Sequence, residues 1–294
     1  MTKLTEPPRD RVRLGIPLAL ASIFCFSATS LLLSFANTAY GMDGWVAAAY
    51  RGAFGLVAVF MLQSRLGRPH FCHIFTNRLL FLRGLLGGIA IPIFYISIME
   101  LGAGRAGIIT GSYPLFAAVV AMLLIKERLQ WTYLVYITIA ILGLLGIFSD
   151  QGIGEAKLFY DIVAMMGASA AGLGVVLIRH LRHTENTSSI FASQCVFTLT
   201  FGLSVAGTDV LIEDPRALGL TVLAAITVIG GQLCITESFR HITVAKGSTL
   251  QMLTPVTTCV LSALLLGEHF SGLELLGGGA ILFASYQIVR LKPR

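Results

Sequence analysis

The sequence predicts an all-α integral membrane protein with ten transmembrane helices, arranged as two inverted repeats of five helices each. Three observations predict this fold class: the composition, an internal repeat and the distribution of basic residues. Apolar residues make up 55% of the 294 residues, and charged residues only 12%. A soluble domain carries about 25% charged residues. The chain therefore has too little polar surface for a water-soluble globule.

The predicted spans follow from the apolar stretches, since roughly 20 mostly apolar residues are long enough to cross a bilayer. In chain order the spans are 14–36, 44–63, 79–99, 105–125, 131–149, 158–178, 189–207, 217–237, 245–266 and 273–291. Residues 1–13 form a cytoplasmic tail, residues 14–149 the first repeat and residues 158–291 the second. Because five is odd, the second repeat enters the membrane in the opposite orientation.

Two hydrophobic stretches repeat each other at an offset of 141 residues. The matched pairs are Arg105 and Lys246, Pro114 and Pro255, Val119 and Val260, Leu123 and Leu264, Leu124 and Leu265, and Glu127 and Glu268. Membrane proteins built from two copies of one unit are typically transporters, because similar halves can rock around a shared central site. The repeat therefore favours a transport function.

The basic residues support the same number of spans. With the N-terminus inside, 17 of the 21 Lys and Arg residues fall in cytoplasmic segments, Arg83 among them, whereas Arg105, Lys157 and Arg216 fall on the other side. This asymmetry follows the positive-inside rule. It predicts a multi-pass protein of the cell (inner) membrane with both termini in the cytoplasm. The net charge of +6 lies in these loops and indicates no nucleic-acid partner.

Several motifs, taken in chain order, resemble a known family. They are AAYRGAFG, RLLFLRGLLGG, AGRAGIITGSYPLFAAVVAMLLIKERL, LIRHLRHTE, GGQLCITESFRHITVAKGS and LLLGEHF. Together with the repeat they resemble the EamA-domain permeases of the drug/metabolite transporter (DMT) superfamily over nearly the whole chain. Lys126 departs from the family pattern, which usually has glycine before the first glutamate, as Gly267 stands before the second.

The resemblance implies a secondary transporter (permease) that moves a small organic metabolite or drug-like solute across the membrane by alternating access. It also implies a central cavity between the halves, lined mainly by spans 1, 3, 4, 6, 8 and 9. The partners are then a small-molecule substrate and the lipid bilayer. The substrate, the direction of transport, its energy coupling and the oligomeric state are left open.

The alternative to transport is a membrane-embedded enzyme acting on a lipid-linked substrate. Such an enzyme should carry a clustered nucleophile, an acid pair or a metal-ligand set at one membrane face, and the sequence indicates none. We therefore expect no enzyme activity, no catalytic residue, no cofactor and no metal. The sequence HFCH at 70–73 is interpreted as a solvated surface stretch, since a metal site there would need ligands from elsewhere.

Arg51 is the main candidate for substrate binding. It lies near the middle of span 2, where an arginine costs on the order of 2.5–3.5 kcal/mol, so it should face a cavity or a partner. Its guanidinium would pair bidentately with a carboxylate or phosphate, which favours an anionic or zwitterionic substrate such as an amino acid or a nucleoside-like metabolite. The alternative is a structural residue that caps carbonyls or extends toward one membrane face.

Pro114 and Pro255 predict kinks beside the cavity. Each proline removes a backbone donor and frees the carbonyl four residues earlier, and a free carbonyl at membrane depth is tolerated where protein or water satisfies it. A kink needed for packing is the alternative. The polar side chains near these kinks, and therefore candidate substrate contacts, are Thr110, Tyr113, Gln251 and Thr254.

Further polar residues complete the candidate site. Gln194, Gln232 and, more weakly, Tyr95 should face protein or cavity, because they are costly in lipid. Hydrogen bonding between helices explains these positions as well as substrate contact does. Arg105 and Lys246 begin spans 4 and 9 on opposite membrane faces. They are interpreted as interface anchors, with paired gate residues as the alternative.

The acidic residues lie in loops or at span ends, and Asp161, Glu100 and Glu237 come nearest to the core. Proton-coupled carriers often keep an acid at membrane depth. Uniport, substrate exchange and proton antiport therefore all stay open.

Overall fold

The computed structural model describes residues 9–113, 116, 132, 135–136, 138–143, 155–181, 184–241, 250–251 and 253–290. Within these ranges every regular element is helical. The helices are α1 (Arg9–Tyr40), α2 (Gly44–Met61), α3 (Gln63–Leu66), α4 (Phe71–Thr76), α5 (Arg78–Leu101), α6 (Ala103–Thr110), α7 (Glu155–Leu181), α8 (Thr187–Ala206), α9 (Pro215–His241), α10 (Leu253–Leu266) and α11 (Gly272–Arg290), with a 3₁₀ turn at Gly207–Val210.

In the described part of the chain, six helices are long and apolar enough to cross a membrane: α1, α2, α5, α7, α8 and α9. Two shorter apolar helices, α10 and most of α11, follow them. The prediction of an all-α integral membrane protein is confirmed. Most of spans 4 and 5 and the first part of span 9 lie outside the described residues, so the division into repeats 14–149 and 158–291 stays a prediction.

Short polar side chains fix where the long helices begin. The Asp43 carboxylate accepts hydrogen bonds from two backbone N–H groups at the start of α2, at 2.7 and 3.2 Å. Asn77 and Asn186 cap α5 and α8 in the same way, as expected for residues whose side chain replaces a missing helical acceptor. Between α5 and α6, Gly102 takes a φ of 85°, which favours glycine.

The helices of the first half pack along helices of the second half. α1 runs along α9, α2 along α8, and α5 along both α7 and α8. Glycines allow α2 and α8 to approach closely: a Cβ at Gly52 would lie 2.6 Å from the backbone nitrogen of Leu199, and a Cβ at Gly202 would lie 2.6 Å from that of Ala49. Small residues serve this purpose in membranes. The polar side chains of α2, α5 and α8 are thereby held against one another.

Candidate functional site

Arg51 on α2 and Tyr95 on α5 meet inside the bundle. Arg51 Nη1 donates a hydrogen bond to the Tyr95 hydroxyl at 3.3 Å, and the guanidinium carbon lies 5.7 Å from the centre of the tyrosine ring. Tyr95 is 2% exposed, and Arg51 is half-buried. Among the described residues no carboxylate forms an ion pair with Arg51. Since a guanidinium carries five N–H donors, Arg51 keeps donors for a further anionic partner.

Arg83 on α5 lies in the same region of the bundle. It was not among the candidate site residues predicted from the sequence. Its Nη2 donates to Gln194 Oε1 at 3.0 Å, and Gln194 Nε2 donates to the carbonyl of Gly87 at 3.4 Å. The residue is 8% exposed, so its side chain packs inside the bundle, and its assignment to the cytoplasmic side stays a prediction. Its place in RLLFLRGLLGG, five residues into an apolar stretch, was the signal that could have revealed it.

A second polar contact joins α1 to the start of α10. Gln251 Nε2 donates to Ser22 Oγ at 2.5 Å, and Thr254 Oγ1 donates to Gln251 Oε1 at 3.4 Å. One turn further on, Thr258 Oγ1 donates to Ser27 Oγ at 3.0 Å. Gln251 therefore bonds to both Thr254 and α1, and these contacts between helices explain why polar side chains stand at these positions. Their role in substrate binding stays a prediction.

The other candidates from the sequence are less closely grouped. Pro255 is a buried residue of α10. A Cβ at Gly111, the residue that follows α6, would lie 2.7 Å from Pro255 Cγ, so the end of α6 packs directly on this proline. The partly buried candidates are Thr110, Tyr113 and Gln232. Pro114 and Lys246 lie outside the described residues, and the two kinks stay predictions.

Arg105 begins α6 in a buried ion-pair cluster. Its Nε and Nη2 atoms donate to the two carboxylate oxygens of Asp161 at 2.9 and 2.6 Å, and Nη1 donates to Glu274 Oε1 at 2.6 Å. The exposed fractions of Arg105, Asp161 and Glu274 are 4%, 1% and 4%. An interface anchor would reach the boundary of lipid and water, so this interpretation is wrong for Arg105. The cluster ties α6 to α7 and α11, and a role as a gate stays a prediction.

Glu268, the second glutamate of the repeat, caps the same end of α6. Its carboxylate accepts hydrogen bonds from the backbone N–H groups of Ala103 at 2.8 Å and Gly104 at 3.0 Å. A carboxylate at a helix N-terminus is stabilised by the unpaired N–H groups and by the helix dipole. Glu268 also borders a cleft of about 460 Å³ between α1, α5 and α10, together with Ser34 and Thr38.

The histidines of HFCH meet an acidic residue from another loop. The potential ligand atoms of His70, His73 and Glu185 all lie within 4.8 Å of one another. Asn77 Nδ2 donates to Glu185 Oε1 at 3.0 Å, and His73 Nδ1 lies 3.5 Å from the same oxygen. The hydrogen bond and the ion-pair contact account for the position of Glu185. The interpretation of HFCH as solvated surface stays a prediction.

Comparison with known proteins identifies the family. The model of the EamA-like transporter family matches the chain twice, over residues 13–149 and 158–290. The chain belongs to this family. The resemblance inferred from the motifs is therefore confirmed, and the protein is a multi-pass membrane transporter of a small molecule.

Two relatives of this EamA-like transporter illustrate its similarities. The pseudopaline exporter CntI of Pseudomonas aeruginosa (strain UCBPP-PA14) is 24% identical over 296 residues, which cover 96% of this chain and 98% of that protein. An uncharacterized transporter of Helicobacter pylori (strain J99) is 21% identical over 221 residues, covering 71% of this chain and 72% of that one.

A crystal structure of a protein with 14% sequence identity superposes on this EamA-like transporter with a TM-score of 0.63. The superposition covers 92% of this chain and 94% of the other. At this identity the likeness shows a shared fold, and the site residues must be argued from the chain itself.

Proposed function

We propose that this protein is a secondary transporter of the inner membrane, with both termini in the cytoplasm, that moves a small organic anion or zwitterion by alternating access. The observation that carries the proposal is the contact of Arg51 with Tyr95. It holds a guanidinium inside the bundle, and no described carboxylate neutralises it. A charge at this depth is costly unless it meets a partner. A carboxylate or phosphate of the substrate supplies that partner.

Tyr95 makes the arginine a better anion site. The tyrosine hydroxyl accepts one N–H of Arg51, and the ring lies beside the cation. Both contacts come from one tyrosine and restrict the guanidinium without supplying a carboxylate that would neutralise it. A held guanidinium loses less freedom when an anion binds, so binding is stronger than to a mobile side chain. Amino acids and nucleoside-like metabolites with an anionic group belong to the class of substrate that this site favours.

Export is the direction that the relatives support. The Pseudomonas relative, which aligns over nearly its whole length with this chain, is named as an exporter. We therefore propose movement out of the cytoplasm, with the substrate entering from the side that carries most of the basic residues. Those residues raise the local concentration of anions at that face.

The ion-pair cluster of Arg105 supports alternating access. It joins α6 of the first half to α7 and α11 of the second half, near the end of the bundle that we predict to be external. Separation of the two halves at this end requires these bonds to break or to exchange partners. Both acidic members are engaged by Arg105, which does not favour an acid pair free for enzyme chemistry.

The proposal is tested by transport into proteoliposomes. Organic anions that raise the thermal stability of the purified protein are first selected, since a ligand that binds the folded state stabilises it. Exchange of a selected anion is then compared in wild-type protein, Arg51→Lys and Arg51→Gln. We expect transport to fall in both variants, and further in Arg51→Gln, which loses the charge as well as the planar fork.

Arg216→Gln is the matched control, because Arg216 is an exposed arginine outside the site. It should transport at the wild-type rate. Full transport by the Arg51→Gln variant, or stabilisation by cationic solutes alone, would contradict the proposed anion site.

A further inference from the structure

We propose that Arg83 is a second anion anchor, and that the substrate is an elongated organic dianion with one anionic group at Arg51 and the other at Arg83. The inference rests on the proposed function of Arg51 and specifies the class of its substrate further. Arg51 and Arg83 come from different helices, α2 and α5, and both side chains are turned into the bundle.

The surroundings of Arg83 are incomplete without an anion. Gln194 accepts one hydrogen bond from Nη2, but the buried Nε has no hydrogen-bond partner among the described residues. The residue is 8% exposed, and no described carboxylate pairs with it. Arginine is almost never buried to this extent unless it is paired, and a buried donor without an acceptor is unfavourable. A carboxylate of the substrate would satisfy both the charge and the open donor.

Glycines leave the space that holds this guanidinium. A Cβ at Gly87 would overlap Arg83 Nη1, so the side chain lies directly on the α5 backbone one turn beyond its own position. On the facing helix α7, a Cβ at Gly174 would lie 3.5 Å from the same nitrogen. The side chain thus extends along α5 in the direction of Tyr95, which Arg51 contacts.

The spacing of the two arginines favours a ligand with separated charges. Gly87, which lies beside Arg83 Nη1, and Tyr95, which contacts Arg51, are eight residues apart on α5. Their backbone positions are therefore about 12 Å apart along the helix axis. The two guanidinium groups carry like charges on two helices that contact each other. Their mutual repulsion is unfavourable in a bundle of low polarity. One carboxylate neutralises one arginine, whereas a dianion with its charges at opposite ends neutralises both.

The test compares dicarboxylates with monocarboxylates as probes. Thermal stability of the purified full-length protein is titrated with the straight-chain dicarboxylates from succinate to suberate. Monocarboxylates of the same carbon number are titrated at equal ionic strength. In the wild type, we compare the ligand concentrations that give half of the maximal thermal stabilisation. This concentration should be about tenfold or more lower for the best dicarboxylate than for the monocarboxylate of the same carbon number, because the dicarboxylate gains a second charged hydrogen-bond partner.

In Arg83→Gln this preference should fall to within about twofold. Arg51→Gln should weaken both classes of probe. Arg78→Gln is the matched control: it makes the same change on the same helix, but the side chain of Arg78 is exposed, so the preference should be kept.

A second pair of variants covers the case in which Arg83→Gln does not fold. Gly87→Ala retains the arginine but occupies the position of its Nη1 atom, whereas Gly230→Ala adds a methyl group where nothing lies within 4 Å. The preference for dicarboxylates should be lost in the first variant and kept in the second.

The outcomes separate this inference from the proposed function. If the wild type shows no preference for dicarboxylates, or if the preference survives both Arg83→Gln and Gly87→Ala, the second anchor is overturned. Transport of a monoanion through Arg51 would then still stand. If neither class of probe binds and Arg51→Gln transports at the wild-type rate, the site at Arg51 fails as well.

Discussion

Removal of Arg105 should destabilise the protein more than removal of an exposed arginine. The Arg105→Gln substitution breaks three short hydrogen bonds and leaves the carboxylates of Asp161 and Glu274 buried without a counter-charge. Breaking a buried ion pair by removing one partner costs about 3–5 kcal/mol. For a large chain, 1 kcal/mol corresponds to about 2–4 °C. The midpoint of thermal unfolding should therefore fall by roughly 6–20 °C.

The cluster also predicts an order among variants. Asp161 receives two of the three hydrogen bonds of Arg105, and Glu274 receives one. Asp161→Asn should therefore be more destabilising than Glu274→Gln. The triple variant Arg105→Gln/Asp161→Asn/Glu274→Gln should recover much of the loss, because no buried charge is left unpaired.

Native cysteines supply the assay. Cys195 is 4% exposed, so a fluorogenic thiol reagent reports its exposure when the bundle unfolds in detergent. Cys72 is exposed and Cys25, Cys234 and Cys259 are partly exposed, so these four cysteines are replaced by serine in every variant to remove their signal. Arg216→Gln serves as the surface control and should shift the midpoint by no more than about 2 °C.

Two results would refute the reasoning about the cluster. If Arg105→Gln unfolded at the same temperature as Arg216→Gln, the arginine would not be held by buried carboxylates. If the triple variant were no more stable than the single Arg105→Gln variant, the loss would not arise from unpaired buried charge.

Three smaller substitutions test other contacts of the fold and the site. Gly52→Ala places a methyl group against the α8 backbone and should cost about 1–3 kcal/mol in the same thermal assay, whereas Gly230→Ala, in open space, should not lower stability. Glu268→Ala removes both hydrogen bonds to the start of α6 and should cost about 1 kcal/mol; an unchanged midpoint would show that the cap is dispensable. Tyr95→Phe removes the hydroxyl bound to Arg51 and should lower affinity for the transported anion roughly fivefold, so equal affinity would place the hydroxyl outside the site.

The membrane class of the fold was accessible from sequence because lipid imposes a simple requirement. A spanning segment must be apolar over its whole length and must satisfy its own backbone, and both properties are local. The predicted spans 14–36, 44–63 and 79–99 accordingly fall on long helices of the structure. The N-caps Asp43 and Asn77 are local as well.

The partners of the charged residues were less accessible, because they depend on how each helix is rotated about its axis. The sequence places Arg51 inside an apolar span, but its partner Tyr95 stands 44 residues away on another helix. Arg83 was counted among the cytoplasmic basic residues, and its partner Gln194 stands 111 residues away on another helix. The structure shows its side chain extending along α5 to Gly87.

The same limit explains the error at Arg105. Arg105, Asp161 and Glu274 all stand near the starts of predicted spans 4, 6 and 10, on the same membrane face. Their opposite charges at one depth indicated that they could pair. Interface anchoring was preferred because basic residues at span ends usually face headgroups, and contact across three helices cannot be read from spacing along the chain.

The cluster of Arg105 joins three helices at one end of the described bundle. In the predicted repeat, spans 1 and 5 are the counterparts of spans 6 and 10, and the matching stretches 14–23 and 131–137 contain no acidic residue in the sequence. In the alternating-access mechanism proposed above, a charged contact at one end of the bundle would make the conformations that are closed and open at that end differ in free energy. The form closed at that end would then be the more populated one without substrate. Substrate would therefore bind the empty transporter mainly from the opposite side of the membrane.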